Sequence, residues 1–113
     1  SPGTSKMDFA VTSKQYEHRL LTYQVVSGAL TAGKFDGTLA SGGTGIYVIT
    51  FERPFLRAPE GAVTCITDNR IARITSSTTL AITIETQDIS GGAAAASDFM
   101  LLVSGSNNAS GIK

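Results

Sequence analysis

The chain has 113 residues, nine basic against nine acidic for a net charge of zero, with 42% apolar and only 16% charged side chains. That length gives one domain able to bury a core without metal or disulfides. The charge balance excludes a global field that would steer nucleic acid or an anionic membrane. No apolar run approaches the roughly 20 residues of a membrane helix, and the single cysteine excludes an intrachain disulfide framework.

Residues 1–14 are small and polar apart from Met7, Phe9 and Val11, which alternate. They fit an edge strand or an arm lying on a neighbour, and equally a mobile terminus. Residues 1–6 lack the apolar core of a secretory signal, so no leader is expected there. Residues 15–20 mix charges on both faces and fit either a helical turn or a strand. Residues 21–26 set Leu21, Tyr23 and Val25 against Thr22 and Gln24, the alternation of a half-buried strand. Glycines punctuate residues 28–37, with Leu30 and Phe35 as inward anchors. Residues 38–45 are loop by composition. Their glycines resemble a phosphate-cradling loop, but no Gly-Lys-Ser/Thr and no helix follow, so no anion site is expected.

Residues 45–59 are the centre of the pattern. Ile46 and Val48 point one way, Tyr47, Ile49 and Phe51 the other, so this strand is expected to be covered on both faces. Pro54 and Pro59 then bracket a connection, since proline lacks the N–H that a ladder needs. Phe55 within it is expected to plug one end of the core. Residues 63–67 and 71–75 read as short strands, with Asp68-Asn69 and Ser76-Ser77 as the turns after them. In residues 79–86, Leu80, Ile82 and Ile84 are expected inward and Ala81, Thr83 and Glu85 outward, with β-branched residues dominating. Residues 87–97 are loop, their four alanines too few and too glycine-flanked for a helix. Residues 98–103 form a second strand apolar on both faces. Residues 104–113 are Ser/Asn/Gly-rich, and Asn108-Ala109-Ser110 has the glycosylation spacing without a secretion signal to make use of it.

Seven or eight short strands with frequent turn signals and no amphipathic helix predict an all-β antiparallel β-sandwich, jelly-roll-like, over residues 15–104. An N-terminal arm over 1–14 and a flexible tail over 105–113 flank it. A sandwich interior covers one face of each doubly apolar strand. A subunit interface through Tyr47, Ile49, Phe51, Met100 and Leu102 is the expected cover for the other, a folded-over loop being the alternative.

Residues 43–51, then Pro54-Phe55, Pro59 and Val63-Thr64, resemble a pattern of bacteriophage virion proteins. They are also similar to the compact trimeric jelly rolls of the C1q and tumour-necrosis-factor type. Residues 98–103 resemble the last, central strand of those domains, whose aromatic and aliphatic residues line a threefold axis, which adds Phe99 to the expected interface. The resemblance spans residues 35–104, and because residues 1–34 show no collagen-like or coiled stalk of the kind that usually precedes such heads, a free-standing trimer is expected.

Enzyme chemistry is not expected. The aspartates Asp36, Asp68, Asp88 and Asp98 fall in turns or at strand ends, where local hydrogen bonding explains them. One histidine, His18, and one cysteine, Cys65, make a zinc site or a thiol nucleophile unexpected, and Cys65 reads as a small buried hydrophobe. Calcium would require loop carboxylates without any EF-hand loop, and no cofactor is expected. The resemblance implies a homotrimeric capsid decoration (cement) protein on the virion surface. Met7, Phe9 and Val11 would contact the major capsid protein, three-point attachment multiplying weak contacts. Its alternative is the tip of a tail fibre, meeting a host glycan or protein through residues 38–44 or 89–97.

Overall fold

A computed structural model describes residues 18–106. Eight strands run through this part: β1 (His18–Val26), β2 (Ala29–Ala32), β3 (Thr38–Gly43), β4 (Ile46–Thr50), β5 (Glu60–Cys65), β6 (Arg70–Ser77), β7 (Ala81–Asp88) and β8 (Phe99–Ser106). They form two antiparallel four-stranded sheets, ordered β2-β1-β8-β5 and β3-β4-β7-β6, with no helix among the described residues. The fold is the all-β antiparallel sandwich that the alternation predicts.

The interior is made by every second residue of the long strands. Leu21, Tyr23 and Val25 of β1 and Phe99, Leu101 and Val103 of β8 face Tyr47 and Ile49 of β4 and Ile82 and Ile84 of β7, all of them buried. Leu30, Leu39, Val63, Ala72 and Ile74 close the sides. Phe51 and Phe55 pack edge to face at one end, 4.9 Å between centroids, which is the plug expected of Phe55. Burying such aromatics carries about 1.5–3 kcal/mol each from transfer alone.

Several local expectations change. Residues 38–43 form a strand, because β4 offers them a ladder from Thr38↔Thr50 to Gly43↔Ile46, broken only by an irregularity between Ser41 and Gly43. Tertiary pairing there overrides the weak strand preference of glycine and serine. Ser76 and Ser77 continue β6 past an irregularity after Ile74. The turn comes later, where the Thr78 hydroxyl oxygen accepts from the Leu80 and Ala81 N–H groups. Leu80 therefore lies in the turn, 57% exposed, rather than facing inward. Phe35 stays partly exposed, stacked on Tyr23 at 5.3 Å, and Cys65 is half-buried. The last strand runs on through Ser106, past the expected start of the tail at residue 105.

Candidate functional site

The two sheets differ on their outer faces. Across β4, β7 and β6 the outer face carries charge, including an Arg73–Glu85 ion pair at 3.8 Å. Pairing in the other sheet aligns Thr22, Leu102 and Ala62 in one row across β1, β8 and β5, and Gln24, Met100 and Thr64 in the next. Leu20, in register with Ser104, continues the patch. Leu20, Met100 and Leu102 are 51%, 53% and 44% exposed. No side chain of the Thr22 and Gln24 rows is charged; Glu60 stands at the β5 end of the Leu20–Ser104 row, and the Ser104 hydroxyl lies 2.6 Å from the His18 Nε2. A shallow depression of about 430 Å3 lies over Thr22, Ala62, Thr64, Met100 and Leu102.

Only part of the expected interface falls on this face. Tyr47, Ile49, Phe51 and Phe99 are buried inside the sandwich, so they are core residues and not part of an outer-face interface; of the four, Tyr47 also reaches the wall of a cleft at one pole. Alternation shows that neighbouring residues point apart, but not which set points inward; the opposing sheet decides it, with the Tyr47 and Phe99 rings meeting edge to face at 5.0 Å. Met100 and Leu102 do face outward. Leu20 and Ala62 join them, and sequence reasoning missed both because Leu20 sits among charges and Ala62 is small. Met7, Phe9 and Val11 lie outside the described residues, as does Asn108.

A second feature lies at one pole of the sandwich. His18 and Ser106 are register partners, so the described chain enters and leaves at the same pole. At the opposite pole, a cleft of about 440 Å3 is lined by Ser27, Leu39, Thr44, Tyr47, Thr67 and Asp98, among others. Asp98 is held there by the β1–β2 turn and by the segment that follows β5. Its Oδ1 accepts from the Ser27 N–H at 2.9 Å, its N–H donates to Thr67 Oγ1 at 2.8 Å, and its carbonyl accepts from the Ile66 N–H at 2.8 Å. Ser27 reaches this position through a left-handed backbone, φ 54°, in the tight turn between β1 and β2, a conformation more at home in Asn or Gly. The Tyr47 hydroxyl oxygen accepts from the Ser97 N–H at 3.2 Å.

Titratable groups elsewhere are dispersed. Cys65 pairs with Phe99 at one end of β8 and His18 with Ser106 at the other, so the two do not meet. Asp36 Oδ1 accepts from the Glu52 N–H, and Asp88 Oδ1 from both the N–H and hydroxyl of Ser90. Those two Ser90 bonds hold the Asp88 carboxyl below its ordinary range. Burial, seconded by the Asp36 carboxylate, pushes the Tyr23 phenol up, with Arg19 opposing. Among the described residues no group of three or more His, Cys, Asp or Glu is arranged to hold a metal ion. No family model matches the chain, and no curated protein or solved structure matches it either.

Proposed function

We propose that this chain is a non-enzymatic structural protein of a bacteriophage virion, a homotrimer that decorates the capsid shell. The observation that carries the reading is the outer face of the β2-β1-β8-β5 sheet, where Leu20, Met100 and Leu102 are exposed and the Thr22 and Gln24 rows carry no charge. Exposed leucines and a methionine side by side on a small domain are a feature of surfaces that meet protein. Around a threefold axis each copy would bring this face against its neighbours, and the Thr22 and Gln24 rows would place no unpaired charge in that contact. The interior position of β8 agrees with the resemblance of residues 98–103 to the central last strand of trimeric jelly rolls. The virion assignment rests on that resemblance together with the pattern of residues 43–64. Attachment at three points then raises avidity without a single strong contact.

The fibre-tip reading draws on the cleft, which faces away from the pole where the described chain enters and leaves. Light-scattering mass of the purified chain, followed by co-sedimentation with undecorated phage heads, tests the proposal. A trimer that sediments with heads is the expected result. A trimer that ignores heads and binds host cells would favour the fibre tip. A stable monomer would overturn both.

A further inference from the structure

From the cleft at the pole formed by Ser27, Thr44, Tyr47, Thr67 and Asp98, we infer a binding site for a neutral, hydroxyl-rich small ligand, a single sugar ring being the best fit. This site requires neither the trimer nor the virion, because one chain supplies all of its walls.

Its size comes first. About 440 Å3 falls within the roughly 300–1,000 Å3 usual for small-molecule sites. The polar groups are fixed before any ligand arrives. Asp98 is anchored by the Ser27 N–H, by Thr67 Oγ1 and by the Ile66 N–H. These bonds leave Oδ2 without a partner among the described residues. Tyr47 is core-packed against Phe99 and accepts from the Ser97 N–H, yet has no acceptor for its own hydroxyl proton among the described residues. Thr67 Oγ1 is in the same position, accepting from Asp98 while its proton is unclaimed. A rigid, prepaid geometry of this kind lowers the entropy cost of binding.

Donor and acceptor counting then selects the ligand class. An anion would meet the Asp98 carboxylate. An ammonium or guanidinium ion suits that carboxylate but carries no acceptor, so the Tyr47 and Thr67 protons would stay unmatched. A hydroxyl both donates and accepts, and neighbouring hydroxyls on a ring can donate to Asp98 Oδ2 while accepting from Tyr47 or Thr67. Leu39 and Ala96 supply apolar wall for the C–H edge of such a ring. The cleft offers no exposed aromatic platform, so affinity is expected on the order of millimolar.

The test is an amide-shift titration of the isotopically labelled chain by NMR, with methyl α-glucopyranoside, methyl α-galactopyranoside and N-acetylglucosamine as probes. Methylammonium and guanidinium run in parallel. At least one sugar is expected to move the amides of Ser27, Gly45, Thr67, Ser97 and Asp98 as a group, and neither cation to do so. Asp98→Asn keeps an oxygen for the Ser27 N–H but loses the carboxylate, and is expected to weaken binding about tenfold. Tyr47→Phe keeps the core ring and is expected to weaken it by a similar factor; should that variant fold poorly, the Asp98→Asn result decides alone. No shift with any of the sugars, shifts at the other pole, the same shifts from a cation, or full affinity in Asp98→Asn would each overturn the assignment.

Discussion

Phe99 and Met100 are consecutive in β8 and stand on opposite sides of its sheet, Phe99 fully buried against Tyr47 and Met100 half exposed beside Gln24 and Thr64. One residue step thus separates the core of a subunit from its candidate interface. Met100→Asp and Leu102→Asp are expected to leave a folded subunit and abolish its self-association, since a charge would be buried without a partner. Phe99→Ala is expected to cost about 3–5 kcal/mol of subunit stability, as large-to-small core changes do. Light-scattering mass and a thermal melt on each variant separate the two outcomes. If Met100→Asp and Leu102→Asp both kept the parent mass, the outer face of this sheet would not be the interface.

Tyr23 gives the sandwich a sensitivity to high pH. Its phenol is buried, donates to the Asp36 carbonyl at 3.1 Å, and is raised above the ordinary value of 10.0. The folded state therefore holds the proton longer than the unfolded chain. Its contribution is complete below pH 10 and is lost progressively as pH rises above that value toward the folded-state pKa. Tyr23→Phe is expected to be about 1 kcal/mol less stable at neutral pH through the lost hydrogen bond. It should also decline less steeply than the parent above pH 10. Urea midpoints measured across that range check this; parallel declines would show that another group governs alkaline unfolding.

The crossover between sheets depends on two glycines. Gly33 (φ +127°) and Gly37 (φ +100°) flank the connection from β2 to β3 and lie against the Thr22 and Thr50 carbonyl oxygens, so an added Cβ would collide with backbone in each case. Gly37→Ala is expected to cost more than about 2 kcal/mol, combining that collision with a disfavoured backbone region. Gly91, where the space is open and φ is not positive, serves as the control: Gly91→Ala should stay within about 0.5 kcal/mol. Denaturant melts of the two variants give the comparison, and equal stabilities would refute the packing argument.

Much of the sandwich was legible because β1 and β7 alternate apolar with polar residues while β4 and the first part of β8 are short apolar runs bounded by turn residues, and local pattern suffices for such strands. The edge strand β3 was not, since Ser41, Gly42 and Gly43 have little preference of their own and take strand geometry only from β4. The candidate interface was half legible. Both faces of residues 98–103 are apolar in the sequence, and only the opposing sheet determines that Phe99 turns in and Met100 out. The cleft was the least visible of all. Its Ser27–Asp98 hydrogen bond joins residues 71 apart in the chain, and neither residue stands out from an ordinary turn until β1 and β8 pair.

Arg19 and Phe55 close the pole where the described chain enters. The guanidinium lies 4.0 Å from the centroid of the Phe55 ring and donates to the Arg53 carbonyl at 2.6 Å, while Phe55 itself is held by its N–H to the Thr79 carbonyl. Arg19 is 7% exposed, so its cation–π contact is sheltered from solvent and should exceed the small value found at open surfaces. Arg19→Met keeps an apolar stem against the ring but removes the cation, and Phe55→Leu keeps apolar volume but removes the ring. A double-mutant cycle on these two is expected to return a coupling of about 0.5–2 kcal/mol favouring the native pair. Chemical denaturation of the four proteins measures it. A coupling near zero would mean that Arg19 does not stabilise this pole through the Phe55 ring, and that the ring could be replaced by any apolar group of the same volume.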